Sequence, residues 1–293
     1  MLRRDVVKAS LAAGMGLAAG SALGCTTRLG ATAVRRQAAG TSQQRAAVTA
    51  GLAYFQRRCE DQKPLVRALA DAIASGDLSR AKRAYVESRP PYEEIEVLAA
   101  SFEVSDSDID ARPYSFERGE TDPEFRGFHK VEALIFAYED LDAALPFARG
   151  LVRSVERLSE ELGELDRFSV DGQFAGMYAV SNEVAAKKIS SEEEAWSDQS
   201  LLIFRHNWIG VYSQFEPFAP LLAEQHQTHV DRVADAYRAA RATVERHFSA
   251  GSAAGTPYSR IGIVERRTIA DASNRLRDAI AGAAEAMGVD VLG

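Results

Sequence analysis

From about Arg45 almost to the end of the chain, apolar residues recur at the three-to-four-residue spacing of amphipathic helices. Period-two alternation bounded by turns, the mark of a strand, is nearly absent. That periodicity points to one fold class, an all-α protein built as a helical bundle or as two bundles packed together. The breaks are readable too. Pro64 opens a segment that stops at Gly76, Asp77 or Ser79 caps LSRAKRAYVES, and Pro90-Pro91 restarts a helix through YEEIEVLAASF. A loop rich in Asp and Ser is expected from Glu103 to about Asp122, and helices over 124–138, 141–165, 170–188, 196–217, 219–248 and 260–287. The GSAAG stretch at 251–255 separates the last two. GDLSRAKRAYVES has the look of one tetratricopeptide helix, but no second copy returns at a fixed spacing, which disfavours a repeat solenoid.

The 293 residues carry a formal charge of −7 and no basic stripe interleaved with aromatics, so a nucleic-acid partner is not expected. Residues 1–25 read as an export signal: a basic start (Arg3, Arg4, Lys8), an apolar stretch from Ala9 to Leu23 and a small-residue end. The pair Arg3-Arg4 resembles the twin-arginine type, which exports proteins that are already folded. Ala22-Leu23-Gly24-Cys25 resembles a lipoprotein cleavage box, in which Cys25 would be acylated and tether the protein to a membrane. An ordinary cleavage site that happens to contain a cysteine is the alternative. Residues 26–44 read as a linker and 45–293 as the helical domain. With only Cys25 and Cys59, there is no zinc cluster and no disulfide framework. The two could pair, or Cys59 could be a lone buried thiol.

Few residues are suited to chemistry, and they cluster. In GFHKVEALIFAYE (127–139), Phe128, Val131, Ile135 and Tyr138 make an apolar stripe, and His129 and Glu132 lie three apart beside it. A buried carboxylate is costly unless it is paired or holds a metal. The plain alternative is that Glu132 merely accepts a hydrogen bond from His129. In YEEIEVLAASF, Glu93 and Glu96 take the same offset from the stripe Tyr92, Ile95, Ala99 and Phe102. Packed face to face, the two helices would gather an imidazole and up to three carboxylates, which need a cation or must share protons. Between them, DSDIDAR offers Asp108 and Asp110 as inward acids and Arg112 as their balance. Farther on, Glu183 precedes Lys187 by four residues, the spacing of a surface ion pair.

One nitrogen with several oxygens suits iron, manganese or another divalent cation rather than copper(I) or structural zinc. HKVEALIF lacks the second histidine of a zincin helix, and no nucleophile elbow or phosphate loop is present. The pair His226 and His229 lies on a polar helix without an apolar shell and reads as solvated.

These motifs resemble the imelysin-like domain of EfeO- and EfeM-type periplasmic iron-uptake proteins. The stretches that carry the resemblance are SRPPYEEIEVLAASF, DSDIDARPYSFE, DPEFRGFHKVEALIF, NEVAAKKISSEEEAWSD and RLRDAIAGAAEAMGVDVLG. The resemblance implies two packed four-helix bundles and a metal site around His129 and Glu132, with Glu93, Glu96, Asp110 and Glu183 as partner ligands. It also implies periplasmic capture of iron, Fe2+ or Fe3+, for an iron permease alongside a haem-peroxidase-like partner. No catalysis is expected. The resemblance implies the short form, in which no cupredoxin domain is expected. LLIFRHNWIG is more apolar than such a domain would have there, which puts a ligand from that helix in doubt. Two other functions compete: an acidic cleft binding a cationic or polysaccharide ligand without metal, and a metallohydrolase with Glu93 or Glu96 as base.

Overall fold

The computed structural model describes residues 40–190 and 193–291. The export-signal residues Arg3 and Arg4, and Cys25, lie outside them. The described residues form ten α-helices joined by short 3-10 turns, with no strand beyond an isolated bridge between Phe248 and Gly255.

Helix α1 (Ser42–Ala74) starts inside the stretch assigned to the linker, where Thr41 and Gln44 close a reciprocal capping box. Pro64 does not open a helix but sits within α1. Leu52, Phe55 and Cys59 before it and Val66, Leu69 and Ile73 after it are all buried, so packing of one continuous face outweighs the missing backbone bond. Cys59 is a free thiol in that face, pushed up to about 12 by burial.

Gly76, at φ 74, turns the chain into α2 (Leu78–Ser88), whose N-cap is Asp77. Helix α3 (Pro90–Ile95) tightens into a 3-10 turn over Glu96–Ser101. The expected Asp/Ser loop is instead helix α4 (Glu103–Asp110) followed by two 3-10 turns. Its composition disfavours a helix. Burial of Ser105, Ile109 and Asp110, with side-chain bonds from Tyr92 to Asp106 and from Arg157 to Ser105, overrides that preference.

Helix α5 (Phe128–Glu132) begins later than the pattern suggests and passes directly into a π-helical turn, Ala133–Ala137. There Tyr138 N–H bonds back five residues to Ala133 O at 3.1 Å. The wider turn shifts the phase of the stripe, so Phe128, Val131 and Ile135 are buried while Tyr138 swings out to 62% exposure.

Helices α6 (Leu141–Glu161), α7 (Val170–Ala186), α8 (Ser200–Phe215), α9 (Ala219–Glu245) and α10 (Ile263–Ala286) complete the chain. Helices α7 to α10 pack as a closed four-helix bundle, α7 on α8, α8 on α9, α9 on α10 and α10 back on α7. The first bundle is irregular: α1 and α6 run side by side, and the short α2 to α5 fill the other positions. One apolar core is continuous through both. Where α3 crosses α8, a Cβ on Gly210 would lie 2.3 Å from Glu94 O, so the close approach requires glycine. Beside that contact, Glu94 accepts from Tyr54 (2.5 Å) and Arg58 (2.7 Å) and pairs with His206 (2.7 Å), which ties α1, α3 and α8 together.

Candidate metal centre

The centre begins at Gly127. Its φ of 86 belongs to glycine, and a Cβ there would lie 2.3 Å from Ile109 O. This packs the first turn of α5 onto the end of α4 and sets His129 Nε2 3.5 Å from Asp110 Oδ1. On the other side of the ring, Nδ1 lies 3.0 Å from Glu132 Oε2. Glu132 Oε1 accepts from the backbone N–H groups of Trp196 (3.0 Å) and Ser197 (2.7 Å). The carboxylate thus anchors the motif helix to the turn before α8, and that turn delivers Glu193 and Glu194.

Two groups of ligand atoms result, each with all members within 4.8 Å of one another. One is His129, Glu132 and Glu194; the other is Glu93, Asp110 and Glu193. Glu194 accepts from Tyr85 O–H at 3.2 Å and from the Ser197 hydroxyl, and pairs with Arg89 Nε at 2.8 Å. Glu96 lies beside the second group, 2.7 Å from Lys188 Nζ and 2.8 Å from Asn207 Nδ2.

Burial makes this a charge problem. Glu93, Glu96, Asp110, Glu132, Glu193 and Glu194 are all buried, none more than 7% exposed, and the cations facing them are Arg89, Arg112 and Lys188. Fully ionised, the six acids exceed the three cations by three charges in a medium that solvates charge poorly. Protons take up the excess. Desolvation pushes Glu132 to about 7 against the Ser197 and Trp196 N–H groups, and desolvation with the neighbouring Glu132 pushes Glu194 to about 7. Desolvation also raises Glu96 to about 7, against the pull of Lys188, and holds Glu93 well above the carboxylate range.

Asp110 and Glu193 behave oppositely. Burial raises both, but Arg89, His129 and Arg112 outweigh it and hold Asp110 well below its ordinary value. Arg112 and Lys188 likewise bring Glu193 to about 2. His129 is pushed down to about 4, chiefly by burial, so it is the neutral imidazole that ligates metals. Its Nε2 and Asp110 Oδ2 are buried without a hydrogen bond. Nδ1 and Glu132 Oε2 share one hydrogen bond, its direction set by the tautomer, and Nε2 is left beside Asp110. Oxygen and nitrogen donors, desolvated and proton-filled, fit a multivalent cation that would displace those protons.

His129, Glu132, Glu93, Glu96 and Asp110 therefore meet, as the paired helices suggest. Glu183, half-buried on α7, falls in neither tight ligand group, but it lies near enough to raise Glu96 and Arg112 by its charge. Among the described residues it forms no ion pair with Lys187, which is exposed; the helix ends at Ala186 and Lys187 leaves the helical spacing. Asp108 points outward to Arg126 and Arg157 rather than to Arg112, because its neighbour Asp110 takes the inward side of α4. Arg112 balances Asp110 at 3.5 Å, as expected, and pairs more closely with Glu193 at 2.5 Å. Helix α8 does contribute, since Asn207 from the apolar stretch LLIFRHNWIG bonds both Glu93 and Glu96. His226 is exposed and His229 half-buried, away from the centre. Glu193, Glu194 and Lys188 carry no periodic signal, and their trace in the sequence is the stretch NEVAAKKISSEEEAWSD. A surface groove of about 410 Å3, lined in part by Lys82, Phe136, Ser197 and Gln199, reaches Ser197, the residue that holds both Glu132 and Glu194.

Fold and site together define a class: a helical-bundle protein enclosing a desolvated cluster of one histidine and six carboxyl groups. The Imelysin family model, whose label also carries the word peptidase, matches residues 48–283, and the chain belongs to that family. It is 35% identical over 161 residues to the iron uptake system component EfeO of Escherichia coli K12, covering 55% of this chain and 43% of that protein. To EfeO of Yersinia pseudotuberculosis it is 33% identical over 167 residues, 57% of this chain and 44% of that one. The chain thus matches less than half the length of these relatives. A crystal structure described as an iron-regulated protein A precursor from Parabacteroides distasonis superposes with a TM-score of 0.58 at 17% identity. It covers 85% of this chain and 94% of its own, and supports the all-α fold.

Proposed function

We propose that the protein is a periplasmic component of an Efe-type iron-uptake system. It captures iron at the centre built on His129 and Glu132 and hands it on, without chemical conversion, to a membrane permease. The observation that carries this reading is the excess of buried acids over cations, six against three, around a neutral imidazole whose Nε2 makes no hydrogen bond. Glu194 completes the group around His129 and Glu132, Asp110 stands across from Nε2, and Glu93 and Glu96 supply negative charge around it. The EfeO relatives supply the identity of the ion as iron, with other divalent cations as chemically compatible competitors.

The acids lie inside the protein rather than along an open cleft, which favours a dehydrated ion over a polysaccharide. No catalytic step is assigned to the site, because the matching relatives are named as iron-uptake components. A twin-arginine signal with Arg3 and Arg4 would export the folded protein, Cys25 would tether it, and a haem-peroxidase-like protein would be its companion. No helix among the described residues is long and apolar enough to cross a membrane.

Calorimetric titration with Fe2+ (anaerobically), Fe3+ as a soluble chelate, Mn2+ and Zn2+ tests the reading on the wild type and on a His129→Ala, Glu132→Ala double variant. Affinity for iron should fall at least a hundredfold in the variant. Equal affinity in the two proteins refutes the assigned site.

A further inference from the structure

The second carboxylate group differs from the first in one respect: the chain supplies its own cations to every edge of it. Arg89 bridges Glu93 (Nη2–Oε1 2.5 Å) and Asp110 (Nη1–Oδ1 2.7 Å). Arg112 bridges Asp110 (3.5 Å) and Glu193 (2.5 Å). Lys188, itself fully buried, bridges Glu193 (3.0 Å) and Glu93 (3.8 Å) and adds Glu96 at 2.7 Å. Three carboxylates and three cations alternate around one small volume. The group of His129, Glu132 and Glu194 has only Arg89, shared with the other side, against two carboxylates.

We propose that Lys188 is a built-in counter-ion that occupies what would otherwise be a second metal position, so that the centre takes one metal ion rather than two. Its two arginine neighbours are fixed by several acids each: Arg89 reaches Glu93, Asp110 and Glu194 through three different nitrogens, and Arg112 reaches Glu193 and Asp110. Lys188 is a compact ammonium on a flexible stem, the closest the chain comes to a monovalent ion in a metal cage. Glu93 Oε1 faces Arg89 Nη2 at 2.5 Å and Asp110 Oδ2 faces Arg112 Nη2 at 3.5 Å, so the second group's oxygens are matched to cations rather than left open. A divalent ion entering there would have to lie beside the Lys188 ammonium, which is fully buried against Glu93, Glu96 and Glu193. Without Lys188, Glu93, Asp110 and Glu193 would present three oxygen donors to a hard cation. The inference rests on the reading of the His129 group as the metal site.

The test is metal stoichiometry, read by equilibrium dialysis with Mn2+ on the full chain and by electron paramagnetic resonance. Wild type should bind one Mn2+ with an isolated-ion spectrum. Lys188→Met should bind two, with the exchange-broadened spectrum of neighbouring ions, and Lys188→Arg should restore one. Because Lys188→Met leaves buried acids unbalanced, a Lys188→Met, Glu96→Gln variant removes one acid with the cation while keeping the second group whole. It too should bind two. One Mn2+ in that folded double variant, or two in the wild type, overturns the proposal. No Mn2+ or iron bound by the wild type refutes the metal reading itself, a result distinct from the first.

Discussion

Stripped of metal, the protein should lose stability as pH rises from 5 to 8, the reverse of what most carboxylate-rich proteins do. Glu132 and Glu194 sit at about 7 in the folded state against an ordinary 4.5. Each therefore contributes stability that is present below pH 4.5 and lost as pH climbs through 7, about 3 kcal/mol per group. His129 acts the other way. Held near 4 against an ordinary 6.5, it stays neutral in the fold, and its contribution of about 3 kcal/mol is present above pH 6.5 and lost as pH falls. Glu93, Glu96 and Asp106, all raised by burial, add to the carboxyl side. Asp110 and Glu193 are ionised throughout this window and contribute no slope. Two carboxyl contributions less one imidazole already leave about 3 kcal/mol lost between pH 5 and pH 8, and Glu96 and Asp106 enlarge that loss, so Tm should fall by at least roughly 6 °C for a domain of this size. Scanning calorimetry of chelator-treated protein at pH 5, 6, 7 and 8 measures it. Saturating Mn2+ should reverse the trend, because the ion replaces the protons and binds better as they leave. A Tm that is flat or rising with pH in the metal-free protein would show that the buried acids are not proton-filled, and the charge argument for a cation site would fail with it.

Two substitutions probe the scaffold around that centre. Gly127→Ala meets both a positive φ and a backbone oxygen 2.3 Å from the new Cβ, so it should cost at least about 2 kcal/mol and lower metal affinity tenfold or more as His129 parts from Asp110. Thermal unfolding and titration of the same samples check both halves. Glu94→Gln should cost about 2–4 kcal/mol by unbalancing Arg58 and His206, yet leave metal stoichiometry unchanged, because Glu94 belongs to neither ligand group. A change in stoichiometry there would mean that the two polar clusters act as one.

Much of this architecture is legible in the residues alone. Helical periodicity is a local property of every amphipathic segment, so the all-α class and most helices follow from spacing, as do the paired offsets of His129/Glu132 and Glu93/Glu96 from their apolar stripes. The family resemblance rests on those same short motifs. Local rules failed where packing overrode them. Pro64 lies inside α1 because a buried face runs through it, α4 is helical despite its Asp and Ser, and the π-turn after Glu132 rotates Tyr138 into solvent.

The composition of the centre was decided by tertiary structure. Glu193 and Glu194 arrive on an irregular turn, where no period distinguishes an inward carboxylate from a solvated one. Lys188 and Arg89 look like ordinary surface charges in KKIS and SRPP. Only the packing of α3, α4, α5 and that turn removes all of them from water at once. Whether an acid is a solvated charge or a ligand depends on how many others share its desolvated volume, and that is a property of the assembled fold.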